Sequence, residues 1–251
     1  MAHIITIANS KGGTGKSTTA HTLAFGLYNR GYKTLLIDLD NQANTTFNCG
    51  LDINNKETLT SLDFIKGNIN AIIHTKAVDI IPANDYLRAA ALEVTSNDML
   101  KNALQQVQPF YDYIVIDTPP LIANLTINAF NCSNDIIIPV QADVFSLQGF
   151  AQIKQIIEDI QARYNPQLKV AGLLLTRYNS RAIINKDIRE MLNGLAKQLN
   201  TKVFNNAIPQ CIAVCEAQAM QKSLLEYAPN STAAKQYNAF IDEYLTSSEE
   251  A

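Results

Sequence analysis

The 251-residue chain is 47% hydrophobic and 17% charged, a balance that supports a buried core and excludes a disordered or fibrous protein. A formal net charge of -3 excludes coating of nucleic acid by bulk charge, although a local basic patch is compatible with it. With no apolar run of 18 residues and neither a basic segment nor a cleavage site in residues 1–7, the protein is expected to be soluble, intracellular and cytoplasmic.

Residues 3–8 form a short apolar run rich in β-branched side chains, as a buried strand requires. A glycine-rich loop follows, and residues 17–30 read as a helix closed by Gly31. The next apolar strand, 33–37, runs into Asp38-Leu39-Asp40 and completes a β-loop-α-β unit of the size a parallel crossover needs. Further strands are expected at 78–81, 113–116, 135–140 and 170–175, with a short one near Val203. Helical patterns lie between them, most clearly at 146–164, where Phe150, Ile153, Ile156, Ile157 and Ile160 share a face, and at 183–199. This alternation predicts an α/β fold with a mainly parallel sheet covered by helices on both faces; with Gly12-Gly13-Thr14-Gly15-Lys16-Ser17 in the glycine-rich loop after the first strand, it is expected to be that of a P-loop NTPase. No linker or repeat divides it, so one domain is expected over residues 1–246 with a frayed acidic tail at 247–251.

Cys49, Cys132, Cys211 and Cys215 show no C-x-x-C spacing and read as reduced thiols, the last two in a loop. His3, His21 and His74 are isolated from any metal-ligand pattern. Asn44-Thr45-Thr46 matches a glycosylation sequon that carries no meaning without a secretory signal.

The chemistry concentrates in Lys11-Gly12-Gly13-Thr14-Gly15-Lys16-Ser17-Thr18, a deviant Walker A loop between the first strand and the first helix. Glycines free consecutive backbone N–H groups to wrap phosphates at a helix N-terminus. In that pattern Lys16 reaches the β- and γ-phosphates of ATP, and the Ser17 hydroxyl binds Mg²⁺. The strict motif needs glycine where Ser10 stands; Lys11 instead puts a second lysine beside the phosphates. Asp38 and Asp40 end the second strand, where side chains at the carboxyl edge of a parallel sheet face a ligand crevice. Asp38 is a candidate for the Mg²⁺ water shell and Asp40 for orienting the attacking water, while either carboxylate alone also suits capping the following turn. The apolar strand that ends in Asp117, followed by Thr118-Pro119-Pro120, has the form of a Walker B carboxylate near the metal.

With Asp38-Leu39-Asp40-Asn41-Gln42-Ala43-Asn44, Asp117-Thr118-Pro119-Pro120, Leu125-Thr126-Ile127-Asn128-Ala129, Pro139-Val140-Gln141-Ala142-Asp143, Phe145-Ser146-Leu147-Gln148-Gly149, Ile208-Pro209 and Glu216-Ala217, the sequence resembles the ParA/MinD group of deviant Walker A ATPases. Within that group it looks like the small, Soj-like ParA partition proteins, with Asn41 standing where the family has proline. The resemblance implies a homodimer formed when ATP is bound, each copy sending Lys11 to its partner's nucleotide. It also implies slow hydrolysis with Asp40 positioning water, and an adenine approached by Thr176 and Pro209. Non-specific DNA binding by the dimer, release by a ParB-like activator or cargo adaptor, and nucleoid association complete what the family implies.

Bacterial relatives often carry arginine after Ile-Pro, but this chain reads Ile208-Pro209-Gln210-Cys211, which removes a phosphate contact. The remaining DNA candidates are Arg177, Arg181, Lys186, Arg189, Lys197, Lys202 and Lys222, which also suit a plain solvated face. Alternatives are a ParA-like ATPase positioning a protein cargo, a MinD-like membrane switch, and a metabolic enzyme or metal-cluster carrier on the same fold. The acidic end at Glu249 and Glu250 has the wrong sign for a basic membrane helix, so no membrane is expected.

Overall fold

The computed structural model describes residues 1–55, 57–89, 93–120, 123–141, 150–178 and 185–249. Six strands form an all-parallel sheet: β1 (His3–Ile7), β2 (Thr34–Asp38), β3 (Asp79–Ile81), β4 (Tyr113–Asp117), β5 (Asp135–Gln141) and β6 (Lys169–Thr176), in the order β3-β2-β4-β1-β5-β6. The short strand expected near Val203 reduces to an isolated bridge with Leu173.

The strands read as unbroken apolar runs because both faces are covered. Ile5, Ile7, Leu36, Val115, Ile137 and Leu174 point to one face. There they pack on Leu23 and Leu27 of α1 (Lys16–Tyr28), on Ala213 and Ala217 of a short helix over Ile212–Ala219, and on Tyr237, Phe240 and Ile241 of the last helix, Thr232–Glu249. The alternate residues Ile4, Leu35, Ile37, Ile114 and Ile116 point the other way, against Leu62, Phe64, Leu100 and Leu104. Ile136, Ile138, Leu173 and Leu175 complete that second face under Phe150, Ile153, Ile157 and Leu192.

Between β2 and β3 lie α2 (Asn44–Asn48) and α3 (Ser61–Ile65), neither of which has the length for a visible helical period. Then come α4 (Met99–Gln105), α5 (Asn124–Cys132), α6 (Phe150–Arg163), α7 (Asn185–Gln198), α8 (Ile212–Ala219), α9 (Leu224–Tyr227) and α10 (Thr232–Glu249). The expected helices at 146–164 and 183–199 match α6 and α7 where they fall on described residues. In place of the loop expected around Cys211 and Cys215 stands α8, which is eight residues long and apolar on several sides, so no period marks it. Helix α10 continues through residues 247–249, where the acidic tail was expected. Its Asp242 takes paired hydrogen bonds from the Arg30 guanidinium just beyond α1, at 2.9 and 2.6 Å.

Topology sets the site. β1, β4 and β2 lie side by side, with Ile7 paired to Asp117 and Asp117 to Asp38 in register. Three strand ends from distant parts of the chain therefore meet at one carboxyl edge.

Candidate nucleotide-binding site

The 11–18 loop is pinned from both sides. Asn9 donates from Nδ2 to the Pro139 carbonyl at 2.7 Å and accepts the Lys11 N–H at 2.9 Å. The Thr176 hydroxyl donates to the Thr14 carbonyl at 2.7 Å, and the Gln141 amide donates to the Gly13 carbonyl. Gly13 and Gly15 take φ of +74° and +88°, a region L side chains rarely occupy. Gly15 is the N-cap of α1, so the first N–H groups of a 13-residue helix open at the loop, a ready anion site. Gly12 and Gly13 are exposed, Thr14 is buried, and Ser17 and Thr18 are half-buried. The Thr18 hydroxyl accepts from the Gln218 amide of α8 at 2.9 Å.

Lys16 is only 6% exposed, and its Nζ donates to the Lys11 carbonyl at 3.1 Å. Burial pulls its pKa down, opposed by the charges of Asp117 and Asp40. A desolvated ammonium beside an anion site gains more from an incoming phosphate than one in water does.

Asp38 and Asp117 are fully buried neighbours. Burial first, and then the other carboxylate, pushes Asp38 up to about 8. Burial also pushes Asp117 up to about 6, against hydrogen bonds from the Ser17 and Thr45 hydroxyls. The two differ in what holds them. Asp38 Oδ1 accepts the Asp40 N–H at 3.0 Å, and its Oδ2 accepts both the N–H and the hydroxyl of Thr46 at 2.8 Å. Asp117 Oδ2 accepts the Thr45 hydroxyl at 2.7 Å, whereas its buried Oδ1 has no hydrogen-bond partner among the described residues. An unpaired buried carboxylate oxygen is costly, and a cation or its bound water is the natural partner. Among the described residues no three His, Cys, Asp or Glu side chains form a cage of their own. Ser17 and Asp117 fit Mg²⁺, which commonly keeps its waters and takes further ligands from phosphates.

Asp40 is 5% exposed and accepts the Gln42 N–H at 3.0 Å. Asp38 and Asp40 thus both make the local turn bond that the sequence left open for either, while also lying at the meeting of the strand ends. Sequence reasoning missed Thr45 and Thr46. They stand just beyond the segment read for chemistry, yet their hydroxyls hold Asp117 and Asp38, and Thr46 Oγ1 also accepts the Ala83 N–H at 2.8 Å. The available signal was two hydroxyl side chains directly after an acidic strand end.

Thr176 and Pro209 lie close together at the end of β6. Residues 208–210 extend the β6 edge, with the Ile208 N–H donating to Leu175 at 2.8 Å and Tyr178 bridging Pro209. Beside the loop they line a cavity of about 240 Å³ with Gly13, Gly15, Thr18 and Gln218.

Among the described residues the basic candidates lie in different surroundings. Arg177 is exposed at the rim of that cavity, with φ of +51°. Lys197 and Lys222 are exposed, and half-buried Arg189 donates to the Asn205 carbonyl at 3.3 Å. Lys202 lies at the opposite edge of the sheet, 3.9 Å from Glu243 and over the Phe204 ring, so it is engaged internally. Arg181 lies outside the described residues, as do 142–149 of the strand-end segments; Lys186 is placed only as a position on α7.

A family model described as an AAA domain matches residues 2–170. Sporulation initiation inhibitor protein Soj of Bacillus subtilis (strain 168) is 34% identical, over 94% of this chain and 96% of that protein. Chromosome-partitioning ATPase Soj of Thermus thermophilus is 32% identical, over 98% of this chain and 97% of that protein. Among solved structures, cobyrinic acid a,c-diamide synthase from Mycobacterium smegmatis with a bound ATP analogue and magnesium superposes with a TM-score of 0.85 at 28% identity, covering 98% of this chain and 94% of that one.

Proposed function

We propose, from the premise that the chain belongs to the AAA-domain family and to the Soj-like part of the ParA/MinD superfamily of deviant Walker A ATPases, an ATP-switched partitioning ATPase that uses DNA as its track. Membership makes it a ParA-type ATPase with ATP and Mg²⁺ as cofactors. The observation that carries the reading is convergence: the 11–18 loop, buried Lys16, the Asp38–Asp117 pair, Asp40 and the Thr176–Pro209 cavity share one edge of the sheet.

In this reading the N-terminus of α1, with Gly12, Gly13, Thr14, Gly15 and Thr18, binds the phosphates, and Lys16 neutralises the β- and γ-oxygens. Ser17 and Asp117, with Asp38 behind them in the water shell, hold Mg²⁺, which when bound supplies positive charge against that developing on the phosphates. Asp40 orients the attacking water. Thr176 and Pro209 flank the adenine. Two ATP-bound copies close face to face and Lys11 of each reaches its partner's phosphates, so pairing and hydrolysis depend on one another. Turnover is slow until a ParB-like activator or cargo adaptor binds. The dimer holds DNA without sequence preference through Arg177, Arg181, Lys186, Arg189, Lys197 and Lys222, in the cytoplasm on the nucleoid.

Filter retention of a random-sequence duplex tests the track. Retention is expected only with ATP and Mg²⁺ and falls roughly a thousandfold between about 50 and 200 mM salt if six phosphates are contacted. No retention at low salt with ATP, or retention indifferent to salt, contradicts the DNA reading. ATP-dependent pelleting with anionic vesicles instead would favour a membrane switch.

A further inference from the structure

Cys211 and Cys215 are absent from every role assigned so far, yet both line the 240 Å³ cavity beside Gly13, Gly15, Thr18, Thr176 and Pro209. Cys211 is the half-buried N-cap of α8, and Cys215, four residues on, is exposed.

The other two cysteines differ in environment. Burial pushes the Cys49 thiol far up and the Cys132 thiol up to about 12, which withholds the reactive thiolate in both. Reactivity toward a reagent in solution is therefore directed to the α8 pair. The neighbouring surface is open as well, with Ile212 75% and Met220 57% exposed on and just beyond the same helix.

We propose that Cys215, with Cys211 as second target, is a thiol-modification site whose adduct and the nucleotide exclude one another; the proposal rests on the nucleotide reading of this cavity. The chemistry is exchange with a low-molecular-weight disulfide. The cysteine thiolate attacks one sulfur, the reagent's S–S bond breaks, a mixed disulfide forms on the protein, and the other half leaves as a thiolate. A tripeptide-sized adduct on either cysteine would compete with a base for the cavity of about 240 Å³ that both thiols line. Reduction by a thiol reverses the block, so the ATPase is switched off by an oxidised thiol pool.

The test treats the full-length protein with glutathione disulfide, with and without saturating ATP and Mg²⁺, maps adducts by mass spectrometry, and reads affinity with a fluorescent ATP analogue. Adducts are expected on Cys215 and Cys211 but not on Cys49 or Cys132, formed at least about tenfold more slowly with ATP present. The adducted protein binds the analogue at least about tenfold more weakly, and dithiothreitol restores binding. In the Cys211→Ser/Cys215→Ser protein, affinity before and after treatment is the same. Adducts forming equally fast with ATP, no adduct at either cysteine, or unchanged affinity in an adducted protein that bound normally before treatment each overturn the proposal alone. Untreated protein that binds no analogue overturns the nucleotide reading, and the proposal with it.

Discussion

The two edges of the sheet each bury a carboxylate, and they treat it in opposite ways. At the amino edge Asp135, 7% exposed, accepts on Oδ2 from the Tyr244 hydroxyl and from His3 Nε2, both at 2.8 Å, and so ties α10 and β1 to β5. At the carboxyl edge Asp38 and Asp117 sit side by side, and one oxygen of Asp117 goes without a partner among the described residues. A cavity of about 460 Å³ opens at the amino edge, beside the carboxylate that is already satisfied. Volume therefore misleads here, and unmet electrostatic demand marks the functional end. A completed pair stabilises; an incomplete one waits for a ligand.

Breaking the carboxyl edge should do most damage to binding. Lys16→Ala removes a buried charge-assisted contact worth about 1.5–3 kcal/mol, so ATP affinity by calorimetry drops roughly 10- to 100-fold. Asp117→Asn should lower hydrolysis by a similar factor and blunt its dependence on Mg²⁺ concentration, with the fold retained by circular dichroism. The matched change at the other edge, Asp135→Asn, should instead cost about 1–3 kcal/mol of stability in a denaturant titration while hydrolysis per folded molecule persists. If Asp135→Asn abolished hydrolysis in the folded fraction, the contrast between the edges would collapse.

A finer change separates positioning from chemistry within the carboxyl edge. Thr46→Val keeps the N–H that Asp38 accepts but loses the hydroxyl shared between Asp38 and the Ala83 N–H. Turnover should fall roughly tenfold at nearly constant KM, with about 1 kcal/mol lost from stability, and Thr46→Ser should restore both. A rise in KM without loss of turnover would place Thr46 in substrate binding instead.

The smallest effect is in pH. Asp38, held near 8 in the folded protein against an ordinary 3.8, keeps a proton that the unfolded chain releases. Its stabilising contribution is full at low pH and is lost as pH rises toward 8. His21, buried and held near 4 instead of 6.5, acts in the opposite sense below pH 6.5. Asp38 is separated from His21 between pH 6.5 and 8, where the Tm of protein freed of Mg²⁺ and nucleotide should fall with rising pH. A Tm rising through that window contradicts the shared burial of the pair.

Sequence reading reached the phosphate loop and the three aspartates because each is local: a glycine-lysine spacing, or an apolar run stopped by Asp38 or Asp117. It also reached the alternation of strands and helices, since both sheet faces are covered and the runs are unbroken. It could not order the strands, and the Asp38–Asp117 pairing depends on β4 inserting between β2 and β1. Thr45 and Thr46 were hidden for a related reason, their partners lying up to 72 residues away. Helix α8 was missed because small apolar residues on several sides erase the period, and with it went the placement of Cys211 and Cys215 beside the loop. The DNA candidates suffered most: a basic residue carries no sign of its partner, and Lys202 proved to be held against Glu243.

Under the proposed function this edge, once filled, pairs two molecules. Sedimentation velocity of the hydrolysis-impaired Asp40→Ala protein with ATP and Mg²⁺ tests it most directly, with Lys11→Ala added on the same background. A dimer is expected for Asp40→Ala that reverts to monomer when nucleotide is removed, and monomer throughout for the double variant although it still binds ATP. Monomers alone for Asp40→Ala with bound ATP, or dimers that survive loss of Lys11, would contradict it.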